Sequence, residues 1–331
     1  MKLAPPNVTY GADPEGFFQK GASIIGAERI INDRSVNNVV LDGVQFELHP
    51  VPAYNIRSVG DSIKAALFGL QAHLTTFSGV SCCFQGIVDV TEEELETLSP
   101  ASKALGCQPS KNVYGLKSVM PNGSTYRKRS AGGHIHLGAV FASEQHRQRL
   151  IPLMDIFVGN TSVMLDRDPG AIERRRSYGL AGEYRAQRHG VEYRTLSNFW
   201  LRGYPLMSLV FSLSGFAAAV YFNGIVATST IEYELLRYVN IDHIIKAIQT
   251  NDAALAASNF ARLQPFLNEY LPDNGFALNP SNLNDFVKFV ELVNKQQGLD
   301  TLFPLDSVIE AWQKPVEFPA YLDKLKQTNV I

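Results

Sequence analysis

Cysteine is nearly absent from this sequence: 331 residues hold three, Cys82, Cys83 and Cys107. Their number is odd and their spacing is not that of a zinc site. A disulfide framework is therefore not expected, and a reducing compartment is the default. Excess charge of either sign is missing too. Lys and Arg total 30 against 32 for Asp and Glu, a balance that supplies no general pull toward nucleic acid or an anionic membrane. The N-terminal MKLAPPNVTYGADPEG lacks the apolar stretch of a signal peptide, so a cytoplasmic protein is expected. No Gly-x-x-x-x-Gly-Lys-Ser/Thr loop occurs, and no Gly-x-Gly-x-x-Gly opens a helix; a nucleotide bound here would rest on neither device. Low-complexity tracts, internal repeats and an obvious linker are also lacking. One long apolar stretch exists, YPLMSLVFSLSGFAAAVYFNGIV at 204–226. Serines, a glycine and Asn223 interrupt it and no basic flank lies beyond Arg202, so it reads as a buried central helix and not as a membrane span.

What is present suits a substantial core, since 45% of residues are hydrophobic, and the length allows one large domain or two ordinary ones. The first two hundred residues read as strands and loops with one clear helix, 56–77. YGADPEGFFQ (10–19) reads as a strand. NVVLDGVQFELHP (38–50) reads as another, with Val44, Phe46 and Leu48 on one face and Gln45, Glu47 and His49 on the other. Such two-faced strands belong to antiparallel sheets. TEEELETL (91–98) opens like a helix, with Thr91 as N-cap and Glu94 three residues on. From about residue 143 the pattern turns helical, over 143–165, 204–226, 230–249, 251–268, 282–297 and 305–313.

Polar residues with chemistry to offer gather between 10 and 200. In AGGHIHLGAV (131–140), His134 and His136 stand two apart and would share one strand face, with Ile135 and Leu137 on the other. Imidazoles so placed serve as metal ligands, phosphate donors or proton carriers, or simply as hydrogen-bonded strand residues. Asp13 and Glu15 repeat the i, i+2 spacing, although Asp-Pro also starts turns. Glu47 lies on a polar strand face that solvent alone would explain. In ERRRSYGLAGEYRAQRHGVEYRTLSNFW (173–200) the tripeptide Glu-Tyr-Arg occurs twice, at 183–185 and 192–194, around the hairpin signal AQRHG. That register sets Arg185 opposite Glu192 and Glu183 opposite Arg194, with Tyr184 and Tyr193 behind. Favourable cross-strand pairs would account for such a hairpin without any ligand.

Taken together, carboxylates and imidazoles on strand faces suit Mg²⁺ or Mn²⁺. Arginines beside them, Arg174–Arg176 and Arg194, suit polyphosphate, because the guanidinium fork matches phosphate oxygens. Cations and arginines together are what phosphoryl transfer requires.

Five segments, GADPEGFF, GVQFELHP, SAGGHIHLG, RRRSYGLAGEYR and GVEYRTLSNFW, spread over residues 8–202, resemble the phage-type carboxylate–amine ligases (amidoligases) of the glutamine synthetase and glutamate–cysteine ligase superfamily. The resemblance implies an α+β protein with a curved, largely antiparallel sheet, helices on its outer side, and Mg-ATP in the concave cavity. Residues 1–202 would form the catalytic core, and 203–331 a helical part packed on the same domain. It implies transfer of the ATP γ-phosphate to a substrate carboxylate, attack by an amine on the acyl phosphate, and release of amide, ADP and phosphate. It assigns Asp13, Glu15, Glu47, His134 and Glu192 to Mg²⁺ or Mn²⁺. His136, Arg185, Arg194 and Tyr178 go to the nucleotide side, and Arg194, Glu192 and Arg176 to catalysis. The partners implied are small-molecule or peptide carboxylates and amines, with neither membrane nor nucleic acid, in a host cytoplasm. A guanidino-kinase-like phosphotransferase and a non-catalytic nucleotide- or metal-binding module are the alternatives. The segment LGCQPSKNVYG (105–115) departs from the family, which would be expected to carry an acidic residue near Ser110.

Overall fold

Two local breakers divide stretches whose alternation reads as single strands. Pro14 offers no backbone N–H to a ladder, and the chain splits there into β1 (Thr9–Ala12) and β2 (Glu15–Lys20). After β3 (Ser23–Ile25), the stretch 38–50 splits at Asp42–Gly43, where Gly43 turns at φ 62°. It becomes the hairpin β4 (Val39–Asp42) and β5 (Gln45–Leu48). An Asp-Gly pair between alternating stretches is a hairpin signal, and it overrides the continuous pattern.

The structure, a computed structural model, describes residues 2–331 apart from 33, 106–109, 120, 121, 123, 124 and 227–229. The remaining strands are β6 (Val80–Cys83), β7 (Ile87–Asp89), β8 (Lys111–Asn112), β9 (Lys128–Ser130), β10 (Ile135–Gly138), β11 (Glu183–Gln187) and β12 (Gly190–Tyr193). One five-stranded sheet runs β1-β10-β12-β11-β8. A second runs β3-β2-β5-β4, with β6 also paired to β2, while β7 and β9 form a separate pair. All these pairings are antiparallel. Antiparallel sheets with a helical C-terminal part agree with the sequence reading, although two five-stranded sheets and a two-stranded pair share the strands where one sheet was expected. The sheets join at Asp13–Pro14, as the chain passes from β1 in the first to β2 in the second. Two bonds stitch this seam: Glu15 N–H donates to the Gly132 carbonyl (2.9 Å), and Asn198 donates to the Glu15 carbonyl (3.0 Å).

Helices cover the other faces. Ile56–Leu74 starts at Asn55, whose side chain accepts from Ser58 N–H. Glu92–Thr97 is capped by Thr91, as expected; Glu94, however, reaches out to Gly26 N–H and Arg29. The helix Tyr204–Val226 runs through the core. Its stretch Tyr204–Asn223 is long and apolar enough to cross a membrane, but it is almost wholly buried inside the protein. The stretch 230–249 forms two helices, Thr230–Leu236 and Ile241–Thr250, because Asn240 caps the second by accepting from His243 N–H. Helices Ala171–Ser177 and Phe318–Gln327 went unread in the sequence. The C-terminal residues tie back to the centre: Trp312 Nε1 donates to the Leu201 carbonyl (2.7 Å), and Phe318 N–H to Ser208 Oγ (2.9 Å).

The expected helix 143–165 contains a π-helical turn, Asp155–Gly159, between Glu144–Met154 and Asn160–Leu165. The turn places Asp155 under the first sheet, fully buried, where Tyr193 O–H donates to its Oδ1 at 2.6 Å. Burial pushes the Asp155 carboxyl up to about 7. With the folded value above the unfolded one, folding takes up a proton between about pH 4 and 7. Stability therefore falls as pH rises through that window and levels off above it. Asp155→Asn keeps the acceptor for Tyr193 and removes the titration. Urea unfolding at pH 5 and pH 8 should show the wild type losing on the order of 2 kcal/mol more than the variant across that interval. Equal losses would mean that Asp155 stays ionised in the fold.

Candidate active site

The polar faces of the two sheets meet in a cavity of about 420 Å³, lined by side chains that include Asp13, Glu15, Asp42, Glu47, His134, Arg185 and Arg194. Strand register explains the convergence. On β10, Ile135 and Leu137 point into the core, each no more than 1% exposed, which turns His134 and His136 the other way. His136 lies opposite Glu192 on β12 and opposite Gly11 on β1. Asp13, two residues beyond Gly11, reaches the same side.

Asp13, the two histidines and Glu192 form the first cluster. His134 Nδ1 is 3.1 Å from Asp13 Oδ1 and 3.7 Å from Glu192 Oε1, and His136 Nε2 is 3.1 Å from Asp13 Oδ2. One ligand atom from each of Asp13, His136 and Glu192 lies within 4.8 Å of the other two. Asp13 Oδ1, both ring nitrogens of His134, Glu192 Oε1 and Arg194 Nη1 are buried without a hydrogen-bond partner among the described residues. Buried polar atoms seldom go unbonded. Here they crowd together within ion-pair distance without hydrogen-bond geometry, as ligand atoms around a cation do.

Glu15, Asp42 and Glu47 form the second cluster, again with one ligand atom each within 4.8 Å. Glu15 and Glu47 sit directly opposite each other on β2 and β5, a like-charge pair that disfavours the apo sheet. Burial, reinforced by Asp42 and Glu47, pushes the Glu15 carboxyl well above the usual carboxylate range. Burial also raises Asp42, Glu47 and Glu192. Asp13 goes the other way: burial would raise it, but His134 and His136 hold it well below. Burial would lower His136, yet Asp13 and Glu192 keep it above its ordinary value. Oxygen-rich sets with one or two imidazoles are the chemistry of Mg²⁺ or Mn²⁺, and the residues present fit such an ion in either cluster.

The hairpin register is the expected one, Arg185 opposite Glu192 and Tyr184 opposite Tyr193, with both tyrosines buried behind. Arg185 Nη1 meets Glu192 Oε2 at 3.2 Å, and the buried Arg194 Nη1 meets Glu192 Oε1 at 3.3 Å. Glu183 pairs with Arg194 through the backbone only (3.0 Å); its carboxylate accepts from Gly179 and Leu180 N–H (2.7 and 2.9 Å) and is a turn residue.

Two of the expected residues are placed differently. Arg176 does not come into the cavity. Its side chain is 73% exposed and pairs with Glu173 on the same helix (2.9 Å), because the helix turns Arg174 inward instead. Arg174 holds the carbonyls of Thr195 and Leu196 and lies over the Tyr178 ring at 4.4 Å. Tyr178 sits beneath the cavity, its O–H 3.4 Å from Glu15 Oε2 and its ring edge-on to His134. Of the segment 105–115, residues 106–109 lie outside the described residues, and Lys111–Asn112 forms the edge strand β8.

Asp42 escaped the sequence reading because 38–50 reads as one continuous strand, which sets Asp42 on the apolar face with Val44; the turn at Gly43 reverses that. The pairing Asp42 with Gln45 puts it on the Gln45–Glu47 face. His49, bonded to Glu47, and His189, stacked on His136 at 5.6 Å, also stand at this site.

The sequence model of the family Phage phiEco32-like COOH.NH2 ligase-type 2 matches residues 101–234, which supports the family that the motifs resemble. Three of the five motif segments fall in that range. The two that carry Asp13, Glu15 and Glu47 precede it, and the fold brings them to the same cavity. No curated protein matches the chain.

A cation bound at these clusters would stabilise the native state by mass action. Mn²⁺ or Mg²⁺ should therefore raise the thermal midpoint of the wild type, and Glu192→Gln should remove most of that rise. A wild type indifferent to either ion would leave Glu192 as a hairpin ion-pair residue only.

Proposed function

We propose, from a chain whose residues 101–234 match the phage-type carboxylate–amine ligase family, that this protein is an ATP-dependent ligase. It would join a carboxylate to an amine through an acyl phosphate and release ADP and phosphate. One observation carries the reading: two carboxylate clusters and two arginines line or border a single cavity, and ligand atoms of the first cluster are buried with no hydrogen-bond partner among the described residues. With the reading goes a glutamine synthetase-like catalytic fold, supported by antiparallel sheets whose polar faces carry the carboxylates.

Bound Mg²⁺ or Mn²⁺ would neutralise and align the phosphates of the nucleotide. The chain's own residues do the rest. Asp13, His134, His136 and Glu192 would hold an ion at one cluster, and Glu15, Asp42 and Glu47 at the other. Arg194, buried and fixed against Glu192, presents a permanent positive charge where negative charge builds on the γ-phosphoryl oxygens. Arg185, across the strand pair from Glu192, borders the same space and suits the nucleotide phosphates. The acyl phosphate would form as the carboxylate oxygen displaces ADP; the amine nitrogen then attacks the carbonyl carbon, loses a proton, and phosphate departs with the C–O bond electrons.

Hydroxylamine in place of the amine, offered with a panel of acids, ATP and Mg²⁺, tests this. A hydroxamate formed with one class of acid, together with stoichiometric ADP, is expected. ADP formed with a stable phosphorylated product and no hydroxamate would make the protein a phosphotransferase. Arg194→Lys keeps the charge but loses the planar fork. It should bind Mg-ATP nearly as well as the wild type and lose on the order of 10²-fold or more in turnover. Undiminished turnover would place Arg194 outside the chemistry.

A further inference from the structure

We propose that Gln45 and Gln187 are positioning residues, each tying down one oxygen of a buried carboxylate so that the other is left for a divalent cation. The inference rests on the cation sites proposed above and concerns what aims their ligands.

Glu192 shows the arrangement most completely. Gln187 Nε2 donates to Glu192 Oε2 at 2.6 Å, and Arg185 Nη1 donates to the same oxygen at 3.2 Å. The other oxygen, Oε1, is buried, makes no hydrogen bond among the described residues, and faces His134 Nδ1 and Arg194 Nη1. Glu15 shows the same loading of one oxygen. Its Oε2 accepts from Gln45 Nε2 and from Gly132 N–H, both at 2.6 Å. Gln45 Nε2 also donates to the Ser130 carbonyl at 3.2 Å, so the carboxamide is pinned between the carboxylate and β9.

The terminal torsion of a glutamate is soft, and a carboxylate crowded by other carboxylates can turn toward any nearby cation, Arg185 or Arg194 included. A strong donor on one oxygen removes that freedom. A carboxamide does so without a charge of its own, so the full negative charge stays available to an ion. Outer partners of this kind orient metal ligands and tune affinity.

The two glutamines both flank hairpin loops, on opposite sides of them. Gln45 pairs with Asp42 across the two-residue loop Gly43–Val44, and Gln187 pairs with Gly190 across Arg188–His189. Each is in the pair that closes a tight hairpin, where the backbone fixes the direction of the side chain.

The test is Mn²⁺ titration of the apoprotein, followed by electron paramagnetic resonance, with the thermal midpoint of each apo variant measured alongside. Gln187→Leu keeps the shape and removes the donor at a half-exposed hairpin end; Gln45→Met does the same at the buried position. A 10- to 100-fold weaker Mn²⁺ affinity with a native-like apo midpoint is expected for each. Should Gln45→Met fail to fold, Gln187→Leu decides alone. Unchanged Mn²⁺ affinity in Gln187→Leu, whatever its midpoint, would make the carboxamide a structural contact and overturn the proposal. A wild type that binds no Mn²⁺ would overturn the cation sites themselves, and that failure shows before any variant is made.

Discussion

Mutual repulsion among five carboxylates is the constraint on which this structure turns. Asp13, Glu15, Asp42, Glu47 and Glu192 line or border one cavity, and two of them oppose each other directly across a strand pair. Burial alone makes such a set unfavourable, so the surrounding chain must hold it open. Arg185 and Arg194 offset part of the charge from one side, and the two histidines from another. The apolar faces of the same strands supply the anchorage: Ile135, Leu137, Tyr184 and Tyr193 are buried almost completely. Alternation along a strand thus lets one residue secure the core while its neighbour carries a charge that would otherwise push the sheets apart.

The helical part contributes by filling the space behind those sheets. From Tyr204 to Tyr221 the long helix is largely apolar on every side because that stretch is buried, against helices Ile56–Leu74, Glu144–Met154 and Phe318–Gln327 and the back of the first sheet. Residues from Leu3 to Leu325 join one core. The cavity therefore rests on packing that spans the whole chain, although its ligands come from the first two hundred residues.

Much of the site could be read from spacing alone. His134 and His136, the register of the 183–194 hairpin and the polar face carrying Glu47 all followed from the two-residue period of a strand. What stayed hidden depended on long-range placement. The i, i+2 spacing of Asp13 and Glu15 suggested one shared face, but Pro14 ends a strand between them, and they serve different clusters. Asp42 was hidden because 38–50 reads as one continuous strand, whose period of two sets it on the Val44–Phe46–Leu48 face; the turn at Gly43 moves it to the other face, opposite Gln45. Arg176 carried the same motif signal as its neighbours, and a single turn of helix decides that Arg174 faces inward while Arg176 meets solvent. Helix phase over seven residues cannot be fixed by composition when three arginines run together.

The seam at Asp13–Pro14–Glu15 has a geometric consequence. A residue and its second neighbour can stand no more than about 7 Å apart along the chain, and the proline ring stiffens that link further. Covalent bonds thus cap how far apart the backbones of Asp13 and Glu15, one ligand of each cluster, can move. Movement of one sheet against the other can shift the remaining ligands, but it cannot part these two backbones beyond that limit. The chain carries a built-in ruler there, and any molecule that bridges both clusters is measured against it.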